Sequence, residues 1–251
     1  MRVEQSFIPV RGVGEQTERT LWRQGITHWD EFHPEAVGPT TAERIQAFID
    51  DARERLTEGD SHYFGRRFPS GEQWRLYESF QGGAAFFDIE TTGLDKRHDA
   101  VTTVSVRQGG DTTTLVRDRD LTADRLRDVF ADADLLVSFN GKRFDVPFLE
   151  HSFDLDGVLD RPHLDLMYPC RRLDLTGGLK QIEKDLGIER DRPDLSGKDA
   201  VRLWYDHRRG DDEALETLIG YNREDVDHLE TVADSVTARL HRRAVPDDCD
   251  L

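Results

Sequence analysis

AAFFDIETTGL, residues 84–94, is an apolar run that ends in two negative charges, Asp88 and Glu90. Four apolar residues before the first acid make a buried strand, and side chains two apart on a strand leave the same face. Asp88 and Glu90 therefore stand side by side where a strand leaves the core. Two further stretches carry acids in comparable settings. LVSFNGKRFDVPFL (136–149) places Asp145 a few residues after an apolar strand, at the mouth of the sheet, where sites of α/β proteins tend to lie. YNREDV (221–226) places Tyr221 and Asp225 four apart on a predicted helix, again on one face. If the fold joins them, the four carboxylates form a cage of hard oxygen ligands suited to Mg²⁺ or Mn²⁺. Such a cage suggests phosphodiester hydrolysis.

The surrounding pattern supplies a fold. AVTTVSVRQ, Gly109-Gly110 and TTTLVRD read as an antiparallel hairpin. LTADRLRDVFADA is an amphipathic helix, DLLVSFN an apolar strand, FDVPFLEHSF a short helix and HLDLMY a strand. Helices follow over about 177–187, 197–208 and 211–241, the last with a bend expected near Gly220. The order β-β-β-α-β-α-β-α is that of an α/β, ribonuclease-H-like domain, a mixed sheet flanked by helices, expected over 84–243.

FDIETTGL, NGKRFD and YNREDV together resemble the three exonuclease motifs of the DEDD superfamily, the DnaQ-like branch of the ribonuclease-H fold, and within it YprB-like proteins. The resemblance covers about 84–240. It implies that Asp88, Glu90, Asp145 and Asp225 are the metal ligands and that Thr91 and Leu94 lie against a 3′-terminal nucleotide. One sub-branch carries a His five residues before the last Asp, where this chain has Gly220; the other carries a Tyr four before it, as Tyr221 is here. The Tyr sub-branch implies a 3′→5′ exonuclease using two Mg²⁺ or Mn²⁺ ions. Because an unperturbed phenol has a pKa near ~10, Tyr221 is expected to orient the attacking water rather than deprotonate it. Two other classes stay open: a non-catalytic module on a nuclease fold that binds nucleic acid or a protein, and a structure-selective endonuclease.

Lys142 and Arg143 read either as phosphate contacts or as a solvated turn, and Asn140 as the cap of the next helix or as a substrate contact. His163 and Asp165 read as a satisfied structural pair. Residues 1–35 form a helical module that resembles a helix-hairpin-helix element, in which the amides around Gly12 and Gly14 hold a DNA phosphate without side-chain charge. The alternative is a helical hairpin packed on the main domain through Leu21, Trp22 and Trp29. Residues 36–83 read as a helical and aromatic connector whose rings anchor it to a core, and 244–251 as a tail.

The net charge of −17 ordinarily argues against nucleic-acid partners. Basic charge rests on 29 Arg against five Lys, and 33 of the 51 acids are Asp, a balance resembling proteins of salt-accumulating archaea. In molar salt the Debye length is about 3 Å, so the global charge is nearly invisible to a ligand and only local groups matter. A single-stranded 3′ end, DNA in preference to RNA, is the expected partner. Two cysteines, Cys170 and Cys249, make no disulfide framework, which fits a reducing cytoplasm. No segment approaches the ~20 apolar residues of a membrane span, and no signal-peptide pattern is present.

Overall fold

The structure, a computed structural model, describes residues 1–246, 248 and 249, so the expected tail lies partly outside the described residues. Five strands form one mixed sheet in the order β3-β2-β1-β4-β5: β1 (Ala84–Thr91), β2 (Val101–Gln108), β3 (Asp111–Val116), β4 (Leu135–Ser138) and β5 (His163–Asp165). The central strand β1 runs antiparallel to β2 and parallel to β4. Gly109 and Gly110 both adopt positive φ (59° and 92°), which the two-residue turn between β2 and β3 requires. This is the ribonuclease-H-like fold expected from the order of elements.

The helices are α1 (Glu15–Arg23), α2 (Pro39–Thr57), α3 (Ser61–Arg67), α4 (Tyr77–Phe80), α5 (Ala123–Phe130), α6 (Asp145–Ser152), α7 (Met167–Arg172), α8 (Leu179–Leu186), α9 (Gly197–Arg208) and α10 (Asp212–Ala244). The alternation along β1 sorts them into layers. Ala85, Phe87 and Ile89 point into a core with Leu126 and Phe130 of α5 and Phe148 and Leu149 of α6. Ala84 and Phe86 point the other way, into a core shared with Val226, Leu229, Val232 and Val236 of α10. By the same period of two, Asp88 and Glu90 lie on the α10 side of the sheet.

Three expectations change in detail. The strand read over 163–168 stops at Asp165, because the Asp165 carboxylate accepts the Met167 N–H (3.2 Å) and turns the chain into α7. The second helix of the N-terminal module is a single 3₁₀ turn, Trp29–Glu31. Helix α10 continues without interruption through Gly220, where a Cβ would lie 2.9 Å from the Arg192 guanidinium; close approach accounts for this glycine.

Residues 1–83 share one core with the domain. Phe7, Leu21, Trp22, Ile26 and Trp29 join Ile45, Phe48, Phe64, Trp74 and Phe80 in the cluster that also holds the α10 residues above. The connector's aromatic rings are thus core rather than a stacking platform, with Tyr63 only partly buried against it. At the centre sits Arg75, 2% exposed, donating to Glu72 (2.7 Å), Glu18 (2.9 Å) and Ser6 (3.2 Å). Removing one partner of such a buried network leaves uncompensated charge. Arg75→Ala is therefore expected to destabilise the protein by about 3–5 kcal/mol. Urea unfolding measures this, and a loss below about 1 kcal/mol would show that the network contributes little.

Candidate metal centre

The site is built by two elements that meet at the end of β1. Asp88 and Glu90 leave β1 on the α10 side, and α10 presents Tyr221, Asn222 and Asp225 toward them. Asp88, Glu90 and Asp225 each offer an oxygen within 4.8 Å of the others. Asn222, fully buried, donates from Nδ2 to Asp88 Oδ2 (2.7 Å) and accepts from Thr103 Oγ1 of β2 (3.0 Å), fixing both carboxylate and amide. A register shift between Glu90 and Thr91 ends the regular pairing of β1 with β2 at this point.

Asp145 reaches the site from the opposite layer. It opens α6, and its Oδ1 accepts the Ile89 N–H at 3.2 Å, so it borders the three converging carboxylates without joining that set. Gly141 permits this approach: a Cβ there would lie 2.2 Å from Ser138 Oγ. Asn140 takes φ +65°, and its main-chain carbonyl accepts from Arg143 and Phe144 (both 3.2 Å). Its side chain caps nothing, since Phe144 is the residue that precedes α6 and no side-chain cap is present. The cap expected of Asn140 is replaced by a main-chain turn held by Asp165, which accepts the Asn140 N–H (2.7 Å) and the Lys142 N–H (3.2 Å).

The other candidates divide. Lys142 turns to the connector and donates to Gln73 Oε1 (3.2 Å), beside a cavity of about 240 Å³ lined by Trp74, His163 and Tyr168. Arg143 is exposed. Thr91 is buried and donates to the Gly93 carbonyl (2.5 Å), bracing the turn from which Leu94 projects, 86% exposed. His163 and Asp165 are both buried but bond elsewhere: His163 Nε2 is hydrogen-bonded to Ser138 Oγ (2.7 Å), and burial holds the imidazole down to about 3, neutral at physiological pH. Gly12 (φ +98°) and Gly14 form the turn that opens α1, far along the chain from the carboxylates.

Sequence reading missed the basic side of the site. Arg190, between α8 and α9, pairs with Glu183 of α8 and with Asp225. His228 Nδ1 lies 3.1 Å from Glu183 Oε1, and against the upward push of burial His228 and Arg190 hold the Glu183 carboxyl below its ordinary range. Lys180 Nζ stands 5.0 Å from the centroid of the Tyr221 ring. Asn222 was legible in principle, being three residues before Asp225 on one helix. Arg190 sits in a loop and carries no periodic signal.

The fold matches a known family over most of its length: residues 85–237 match the RNase_H superfamily. The chain belongs to the RNase_H superfamily. No curated protein matches it. Among solved structures, this RNase_H superfamily chain is similar to the family B DNA polymerase of Pyrobaculum calidifontis (20% identity, 61% of this chain, TM-score 0.49), of which it covers 24%. It is also similar to a nuclease in its apo form (24% identity, 70% of this chain and 79% of that one, TM-score 0.46). A third is Brucella melitensis NrnC with bound Mg²⁺ (21% identity, 66% and 78%, TM-score 0.45). At these identities the likeness is one of fold.

The donor set fits a hard divalent cation, because three carboxylates converge with too little neutralising charge of their own. Burial, then repulsion from Asp145, Asp225 and Glu90, pushes Asp88 well above its ordinary pKa, and burial with Asp225 and Asp145 does the same to Glu90. Burial raises Asp145 to about 7, and it raises Asp225 to about 6 although Arg190 works against the shift. Folded-state values above the ordinary ones mean that the metal-free protein is most stable with these groups protonated. That stability is lost as pH rises through about 6 and about 7. In EDTA the melting temperature is expected to fall across this window, by about 2–4 °C for each kcal/mol lost, and Mn²⁺ is expected to restore it. Asp88→Asn should flatten the fall in calorimetric melts. A variant that tracks the parent at every pH removes carboxylate repulsion as the cause.

Proposed function

We propose that this chain is a metal-dependent nuclease that hydrolyses phosphodiesters from the 3′ end of nucleic acid, DNA in preference to RNA. The observation that carries the reading is the convergence of Asp88, Glu90 and Asp225, with Asp145 and Tyr221 at its border. Asp88, Glu90 and Asp225 would hold Mg²⁺ or Mn²⁺, with Asp145 serving a second ion. Bound there, such ions supply Lewis-acid polarisation of the phosphoryl oxygens and raise the acidity of water.

The remaining roles belong to the chain's own residues. Burial, then the charges of Asp225, Glu90 and Asp88, pushes the Tyr221 phenol far above its ordinary pKa, so it keeps its proton and acts by hydrogen bonding to the water or the phosphate. Leu94 stands exposed on its braced turn, available to pack against the terminal base, and Thr91 fixes that turn. Arg143 is exposed two residues before Asp145 and would meet a substrate phosphate. Asn140 serves through its main chain, and Lys142 contributes only if it leaves Gln73. The Gly12–Gly14 turn, with Arg44 donating to the Arg11 carbonyl (3.4 Å) beside it, is the second place where a DNA backbone would rest.

The test is cleavage of 5′-labelled single-stranded DNA, duplex DNA and RNA, with and without Mg²⁺ or Mn²⁺. A 3′-shortening ladder is expected, and Asp225→Ala should lower its rate by at least about 10²-fold, the loss of several kcal/mol of charge stabilisation. Binding without cleavage in every condition returns the chain to the class of binding modules, and internal cuts return it to the endonucleases. The salt-adapted composition adds a separate expectation: cleavage rates should rise toward molar KCl. Full activity confined to dilute buffer excludes that adaptation.

A further inference from the structure

Arg190 is the best-buried cation at the metal centre, its side chain 5% exposed. It is gripped from behind by Glu183, through Nε and through Nη2 to Glu183 Oε1 (2.6 Å), and Glu183 is itself 1% exposed and paired with His228. From this fixed position Nη2 donates to Asp225 Oδ1. One oxygen of Asp225 is thereby claimed, and the carboxylate is one of the three whose oxygens lie within 4.8 Å of one another. The remaining nitrogen, Nη1, is buried without a hydrogen-bond partner. Its nearest carboxylate oxygen in an ion pair, Glu224 Oε2 at 3.9 Å, is likewise without a partner.

Two roles fit a guanidinium at a metal ligand. It competes, standing in for the cation and yielding when the cation arrives, or it positions, clamping the ligand so that its other oxygen faces the site. The bonding favours the second. A competitor would be held chiefly by the carboxylate it later surrenders, whereas Arg190 makes two hydrogen bonds to Glu183, a residue of another helix, and one to Asp225.

We infer that Arg190 is the positioning residue of the metal centre, and that the Glu183–Arg190 pair fixes Asp225 for a divalent cation. This rests on the metal-site reading given under the proposed function. Partners that orient a metal ligand from behind typically change metal affinity by about 10–100-fold when removed.

The test is calorimetric titration of the full chain with Mn²⁺, alongside melting in EDTA. Arg190→Gln is expected to weaken Mn²⁺ binding about 10–100-fold. Arg190→Lys, which keeps the charge but not the fork, should recover part of the loss. Tighter binding in Arg190→Gln would establish the competitor role, and unchanged binding would leave Arg190 a structural cation; either overturns the inference. Should Arg190→Gln be recovered unfolded, Glu183→Gln loosens the clamp without removing the guanidinium. It is expected to shift affinity in the same direction, and parental affinity there overturns the inference equally. A parent chain that binds no Mn²⁺, or whose binding survives Asp225→Asn, brings down the metal-site reading instead.

Discussion

Like charges brought together away from water repel, and the architecture around β1 is arranged to hold four of them in spite of that. The strand that carries Asp88 and Glu90 is central in the sheet, paired with β4 over Ala84–Phe86 and with β2 as far as Thr91. Three of the acids meet separate restraints: Asn222 holds Asp88, the Ile89 amide holds Asp145, and Arg190 holds Asp225. These restraints come from β1, α10 and the loop after α8, so the site exists only when all three have docked. An uncompensated group of this kind costs stability that the surrounding core must offset. Natural proteins concentrate such local conflicts where they have chemistry to perform.

Helix α10 ties that site to the rest of the molecule. Its first half brings Tyr221, Asn222 and Asp225 to the end of β1, and its second half lines the core that residues 1–83 complete. The N-terminal region and the carboxylate site thus pack on one and the same helix. The Gly220 position serves this rod without breaking it, since the missing side chain admits the Arg192 guanidinium against the helix.

Much of this was legible in the sequence, for a definite reason. Strand and helix periods dictate which side chains share a face, so Asp88 with Glu90, and Tyr221 with Asp225, could be paired from spacing alone. The turn at Gly109-Gly110 and the buried aromatic connector were legible from the same local rules. What escaped was set by partners distant in sequence. Nothing in the spacing of Lys142 says that it bonds Gln73, 69 residues away, nor does the loop holding Arg190 announce a contact with Asp225, 35 residues on. Glu183 is nearly inaccessible on its helix because an arginine and a histidine neutralise it there, which the helical period alone does not reveal. Asp165 ended its strand early through a side-chain bond to the main chain, a competition that apolar counts do not register.

The packing of residues 1–35 against α10 also bears on the order in which the chain acquires its structure. Arg19 donates to the carbonyl of Ala244 at 3.0 Å, a contact 225 residues long in sequence, and Trp22 shares a core with Leu240. Contacts of such separation close late, because loop entropy must be overcome before they contribute. The contact of α1 with the end of α10 thus closes late, whereas Trp29 has its ring partners, Phe48 and Phe64, nearby in sequence. Until it closes, the part of the α1 surface that meets α10 is open to association, and the dense negative charge of the chain supplies mutual repulsion between copies.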